Sequence, residues 1–148
     1  MVKRVHISKI AFIVIMMILF ISCGKDTKLD STISMHMTAI QNRDLPSLLK
    51  TVDDDKITLI LPNGKYSTSF SEYEKINQEW FDEEDWNIKY DVLNVHRNKN
   101  SAIVLTKITY FDKDDHGSVY NFQYFLTMIF EYKMNKWQLI YDQNTMIK

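Results

Sequence analysis

From Trp86 onward, apolar and polar positions alternate. Trp86, Ile88, Tyr90 and Val92 interleave with Asn87, Lys89 and Asp91, the period of two in which successive side chains point to opposite faces of a strand. The parity then switches to Leu93 and Val95. Such a mid-strand switch predicts a bulge, which bends a sheet. "RNKN" turns the chain, residues 101–111 give the next strand, and "DKDDHG" turns it again. Between Val119 and Lys133, Tyr120, Phe122, Tyr124, Leu126, Met128, Phe130 and Tyr132 fill one face. Asn121, Gln123, Thr127 and Glu131 share the other with Phe125 and Ile129. Asn135 marks a last hairpin turn, and Trp137, Leu139 and Tyr141 give the final strand its inward face.

Upstream the period is helical. Ile33, His36, Met37 and Ile40 fall at i, i+3, i+4 and i+7, one face of a helix that Asp30 or Ser31 can cap. Asp44 is a natural N-cap for a second helix, with Pro46 tolerated in its first turn and Leu45, Leu48, Leu49 and Val52 as its apolar face. The carboxylates of Asp53, Asp54 and Asp55 disfavour continuing it, because they oppose the negative end of the helix dipole. "ITLIL" (57–61), "PNG" (62–64) and "KYSTS" predict a short hairpin. Ser69 and Glu72 form a capping box that launches a third helix, with Tyr73, Ile76, Trp80 and Phe81 along its stripe. Helices grouped ahead of a meander predict an α+β fold: N-terminal helices packed on a curved antiparallel sheet of four long strands plus a short hairpin. A bent sheet half-covered by helices is a cone with a cavity at its open end.

The first thirty residues follow another logic. Ile10 to Ser22 is a run of 13 residues without a charge, behind Lys3, Arg4 and Lys9. A membrane-spanning helix needs about 20 apolar residues, so the run reads as the apolar region of a signal peptide. "FISC" resembles the lipobox of bacterial lipoproteins, with Ser22 at the small position and Phe20 departing from the usual Leu, Val or Ile. That resemblance implies a signal peptide over 1–22, cleavage before Cys23, acyl chains on Cys23, and anchorage in a bacterial cell envelope, facing the periplasm or exterior. Two or more chains give stable anchoring where one is marginal. "GKDTKLD" (24–30) reads as a polar, extended tether, and 31–148 as one domain.

Composition narrows the picture. All 19 acids but only 15 of the 18 basic residues lie beyond residue 22, a net charge of −4 for that part, which argues against nucleic acid as a partner. Cys23 is the only cysteine, so the domain has no disulfide. Eight Tyr, eight Phe and three Trp predict a large aromatic core, a lined cavity, or both.

"AIQNRDLPSLLKTVDDDKITLILPNGKY" (39–66) resembles the N-terminal signature of the nuclear transport factor 2-like superfamily, which includes ketosteroid isomerases, polyketide-cyclase-like proteins and kinase association domains. Asp44, Leu45, Leu48, Leu49, Asp54, Asp55, Pro62 and Gly64 carry the match, and "KWQLIYDQNT" (136–145) is similar to the closing strand. The resemblance spans residues 31–146 and implies the cone-shaped, cystatin-like fold. It also marks a departure. Ketosteroid isomerases carry their general base immediately before the proline; Leu61 stands there, and leucine cannot abstract a proton. The isomerases' helix-one tyrosine falls at His36. Association-domain-like members often carry histidines at the places of Tyr141 and Gln143, and this chain has neither.

The candidate ligand-pocket residues are Trp80, Tyr90, Tyr124, Trp137, Tyr141 and His36. Tyr and Trp offer an apolar body with one polar handle, which suits a mostly apolar pocket; a plain filled core is the alternative for the aromatics. His36 reads either as a ligand donor or as a satisfied core histidine. Asp142 is the one titratable candidate on the last strand, but its parity opposes Trp137 and Tyr141 and turns it outward. His96 and His116 fall in or beside turns and read as exposed. Asp53–Asp55 and the four acids Asp82–Asp85 read as solvated, the latter at the cavity mouth, with a cation or cationic ligand as the sharper alternative. No pair of histidines has metal-ligand spacing, no cysteine helps, and no phosphate loop or nucleophile motif is present, so neither metal nor cofactor is implied. Three functions follow: a lipid-anchored binding or scaffold protein for a small apolar or aromatic ligand or a peptide; a cyclase, isomerase or dehydratase using His36, a tyrosine or Asp142; or a structural module, with Phe125 and Ile129 on the outer sheet face forming a homodimer.

Overall fold

The computed structural model describes the backbone of residues 6–147 and the side chains of residues 24–147. The signal segment 1–22 and the Cys23 thiol expected from sequence therefore lie outside the described side chains. Three helices, α1 (His6–Gln41), α2 (Leu45–Leu49) and α3 (Phe70–Phe81), cover one face of a single sheet. Its strands are β1 (Thr58–Ile60), β2 (Tyr66–Ser67), β3 (Asn87–Arg97), β4 (Ser101–Lys113), β5 (Val119–Lys133) and β6 (Lys136–Met146). The order across the sheet is β2-β1-β6-β5-β4-β3. The expected α+β cone is present, with one refinement. The short hairpin is not separate: β1 runs parallel to β6 and completes a six-stranded sheet.

Local chemistry sets the helix ends. Arg43 adopts a left-handed conformation (φ 54°), and the amides of Arg43 and Asp44 return to the carbonyls of Ile40 and Ala39 at 3.1 and 2.9 Å. This closes α1 with a Schellman motif. Asp44 at once caps α2, its carboxylate accepting the Ser47 amide at 3.0 Å. The Ser69 hydroxyl accepts the Glu72 amide at the start of α3, as the capping box predicts. Met134 and Asn135, at φ 48° and 66°, form the two-residue turn between β5 and β6, the primed geometry whose twist matches flanking strands.

The core is one cluster between helices and sheet. On β5 it takes Tyr124, Leu126, Met128 and Phe130, and on α1 Leu29, Ile33, Met37 and Ile40. The bulge expected in β3 falls between Val92 and Asn94, leaving Leu93 half-exposed.

The segment 24–30 departs from its expectation as an extended tether: it is helical and belongs to α1. Leu29 is fully buried. The indole of Trp137 donates to the Lys25 carbonyl at 3.1 Å. The Lys25 ammonium lies 3.9 Å from the Tyr132 ring centroid and donates to Asn100 Oδ1 at 2.9 Å. Lys28 reaches Asn135 Oδ1 at 2.9 Å, and Asp30 pairs with Arg97. The polar side chains that made the segment look like a free arm are thus engaged by the β3–β4 and β5–β6 hairpin tips. From there α1 crosses the sheet to the opposite end, about 22 Å away along the axis between Lys25 and Ile40, where the Gln41 side chain donates to the Ile88 carbonyl at 3.3 Å.

Candidate ligand cavity with a buried carboxyl

At that far end the helices and sheet leave a cavity of about 400 Å³, within the size range of small-molecule sites. Two helices and five strands or their ends build it. Ile40 closes it from α1, Tyr73, Ile76, Asn77 and Trp80 line it from α3, and Leu59, Leu61 and Pro62 come from the β1 side. Strands β3 and β4 supply Ile88, Ile108, Tyr110 and Asp112; β5 supplies Tyr120, Phe122, Tyr124 and Leu126. Strand β6 supplies Asp142 and Asn144. Exposure grades along the walls: Tyr73 and Ile108 are essentially buried, whereas Tyr120 is 43% exposed, so the β4–β5 turn marks the mouth.

The aromatic wall is continuous. Trp80 stacks on Trp86 at 4.3 Å between centroids and faces Tyr110 at 6.5 Å. Tyr110 stacks on Phe122 at 4.9 Å, and Phe122 meets Tyr124 at 6.1 Å. The Trp86 indole donates to the Trp80 carbonyl at 2.8 Å, which fixes the end of α3 against β3.

Asp142 was expected to face outward, and the structure reverses this. A bulge in β6 is the reason. Phe130 pairs with Leu139 but Ile129 pairs with Tyr141, so Ile140 is an extra residue and the parity flips after it. Asp142 pairs with buried Met128 and is itself 6% exposed. Its Oδ1 accepts the Asn144 amide at 3.0 Å, and Asn144 is held in turn by the Ile60 carbonyl at 3.1 Å. No hydrogen bond reaches Asp142 Oδ2 among the described residues. Burial in this apolar setting raises the Asp142 carboxyl to about 7, the Asn144 hydrogen bond opposing in part. The Tyr73 and Tyr124 hydroxyls are pushed up by their own desolvation first and by the Asp142 charge second.

The other sequence candidates divide. Trp80 and Tyr124 line the cavity; His36, Tyr90, Trp137 and Tyr141 do not. Tyr141 turns outward with Ile129, its hydroxyl donating to Gln143 Oε1 at 2.8 Å. Trp137 sits at the other end of the sheet beneath Lys25. Tyr90 is half-buried against the edge of the core. His36 is fully buried, with Phe130 edge-on at 6.2 Å. The Thr51 hydroxyl donates to the Leu48 carbonyl at 2.5 Å. Its oxygen therefore accepts from His36 Nδ1–H at 2.7 Å, and Nε2 is left without a partner. Burial lowers His36 to about 4, so it is neutral at pH 7. His96 and His116 are exposed, as expected.

Sequence reasoning also missed Asn77, Asn144 and Tyr73 as cavity groups. Asn77 and Tyr73 lie on one face of α3 at i and i+4, a spacing that was legible; Asn144 needed the bulge. The carboxylates of Asp53, Asp54 and Asp55 come within 4.8 Å of one another. Asp53 is buried rather than solvated, accepting the Asp55 amide at 2.9 Å, and Lys133 lies 3.9 Å from Asp55. Among the described residues no helix is long and apolar enough to cross a membrane.

No family model matches the sequence, and no curated protein matches it. Solved structures do match in shape. A ketosteroid isomerase-like protein from Erwinia carotovora atroseptica superposes with a TM-score of 0.70 at 16% identity, over 82% of this chain and 95% of that one. A proposed dehydratase of the nuclear transport factor 2-like family from Streptomyces avermitilis gives 0.70 at 12% identity, over 84% and 98%. The association domain of calcium/calmodulin-dependent kinase II from C. elegans gives 0.63 at 15% identity, over 82% and 95%. The fold is therefore nuclear transport factor 2-like, as the motifs implied, and identities this low carry the fold alone.

Proposed function

We propose that this chain is an envelope lipoprotein whose cavity binds a small, mostly apolar ligand and orients it through one buried polar end. The carrying observation is the cavity of about 400 Å³ with the buried Asp142 carboxyl in its lining. Aromatic and aliphatic walls supply affinity, and a few convergent polar groups supply orientation. A fluorinated-fragment screen by NMR tests this. Fragments should bind the wild-type chain and lose binding to Ile76→Trp, which fills the cavity from α3; a screen without hits, or hits indifferent to Ile76→Trp, refutes it.

Anchorage through Cys23 forms part of the same proposal. It is supported by the charge pattern and the "FISC" motif, and the docked segment 24–30 gives it a geometry. The hairpin tips that hold Lys25 and Lys28 would lie against the membrane, and the cavity mouth would open toward water. Equal fatty-acid labelling of wild type and Cys23→Ser would refute the anchor. Ile103, Ile129 and Tyr141 share the outer sheet face through cross-strand pairing, with Phe125 nearby. This patch supports a homodimer, which light scattering at micromolar concentration tests.

A second reading has a specific observation in its favour. Leu59 of β1 pairs directly with Asp142 of β6. The carboxyl thus lies one strand away from the segment that ends in Leu61, where isomerases of this fold keep their base. A buried acid near pH 7 suits general acid–base work. Proton-transfer chemistry of the isomerase or dehydratase kind predicts deuterium uptake from D₂O into a cyclic β,γ-unsaturated ketone, lost in Asp142→Asn. No uptake above buffer removes this reading while leaving the binding function intact.

A further inference from the structure

We propose that the cavity selects an organic cation: an amine or quaternary ammonium group carried on an apolar or aromatic body. This rests on the reading of the cavity as a small-molecule site and names the ligand class. Three independent features of the walls converge on it.

The first is charge. Two carboxylates, Asp112 and Asp142, line the cavity, and no Lys, Arg or His does. At the mouth Asp112 Oδ2 accepts the hydroxyls of Tyr110 and Tyr120 at 3.2 and 3.3 Å. The Tyr120 hydroxyl titrates above its ordinary value through desolvation and then through the charges of Asp112, Glu83 and Asp114. Cations on neighbouring segments are already engaged. Lys113 pairs with Asp85 at 2.6 Å. The Arg43 guanidinium lies 4.4 Å from the Trp86 ring and donates to the carbonyls of Glu84 and Trp86.

The second is the state of Asp142. The groups around it are Tyr73 and Asn77 from α3, Tyr124 and Met128 from β5, Leu59 from β1 and Asn144 from β6. None carries positive charge, so among the described residues only the Asn144 hydrogen bond favours ionisation of this buried acid, and no cation does. A cation in the cavity supplies the missing partner and converts a half-protonated acid into a carboxylate. The third is the aromatic ladder Trp80–Tyr110–Phe122–Tyr124. Ring faces carry negative quadrupole density and attract ammonium groups within about 6 Å, whereas they disfavour anions.

Three probes of one size separate the alternatives: benzyltrimethylammonium, its neutral carbon isostere neopentylbenzene, and the anion 3-phenylpropionate. Each is titrated by NMR into the purified full chain at pH 6 and pH 8. The quaternary probe does not titrate, so any pH dependence belongs to the protein. With an acid near pH 7, the carboxylate fraction rises about tenfold across this interval. Benzyltrimethylammonium should therefore bind about tenfold tighter at pH 8 than at pH 6, and tighter than neopentylbenzene at both. Asp142→Asn should flatten the pH dependence, and Asp112→Asn should weaken the cation at both pH values. Equal affinity for neopentylbenzene, or preference for 3-phenylpropionate, overturns the cation proposal and leaves the pocket standing. Absence of binding by all three overturns both.

Discussion

Two buried groups with opposite shifts give Asp142→Asn a distinctive stability signature. Asp142 is raised from 3.8 to about 7. The fold therefore binds its proton more tightly than the unfolded chain does. That stability is fully present below about pH 4 and is lost as pH rises to about 7. At ~1.4 kcal/mol per pH unit the full span is about 4 kcal/mol. His36 is lowered from 6.5 to about 4. Its contribution is present above 6.5 and is lost as pH falls toward 4, about 3 kcal/mol in all. Between about pH 4 and 6.5 the two slopes have opposite sign and cancel. Asp142→Asn removes one of them. The variant should lose stability on acidification through this window at ~1.4 kcal/mol per pH unit more steeply than wild type. By pH 8 the difference should have moved about 4 kcal/mol in favour of the variant, relative to pH 4. Urea unfolding followed by tryptophan fluorescence at half-unit steps reads this directly. Surface carboxylates titrate alike in both proteins, so the difference curve isolates position 142. A difference that does not change with pH would refute the burial of an ionisable Asp142.

The remaining predictions follow from single contacts. Leu29→Ala should cost about 2–4 kcal/mol by equilibrium unfolding, as for other fully buried leucines; a negligible change would mean that the segment 24–30 is a free arm after all. Met134→Asn should stabilise the β5–β6 turn by on the order of 0.5 kcal/mol, since asparagine accepts the left-handed conformation at φ 48° better than methionine, and a lower urea midpoint would contradict the turn assignment. Lys25→Ala should speed amide exchange in the first turn after Gly24 by loosening the contacts to Tyr132 and Asn100, while leaving the cavity's ligand affinity unchanged.

Much of the fold was legible because local signals agree with the tertiary structure. Asp44 and Ser69 cap where their side chains predict. The β3 bulge was readable because Val92 and Leu93 are both apolar and shift the visible parity. The β6 bulge was hidden by the same kind of chemistry. Ile140 is apolar on either side of the sheet, so the row Trp137, Leu139, Tyr141 looked unbroken, and the most informative acid was turned the wrong way. The docked helical segment 24–30 was obscured by its polar residues, whose partners lie far along the chain. Yet Leu29 continues the row Ile33, Met37, Ile40 one turn earlier, and that extension was available. The aromatic inventory left a filled core and a lined cavity both open, and only Trp80 and Tyr124 of the named set reach the cavity, because register and helix azimuth decide which rings face inward.

The proposal rests on a cavity lined by a buried acid, Asp142, with no cation beside it among the described residues. Carbon-13 NMR titration of the Asp142 side-chain carboxyl, with and without saturating benzyltrimethylammonium, tests it most directly. A midpoint of about 7 is expected in the free chain, with a marked fall when the cation fills the cavity. A midpoint near the ordinary carboxylate range, unmoved by the probe, would contradict it.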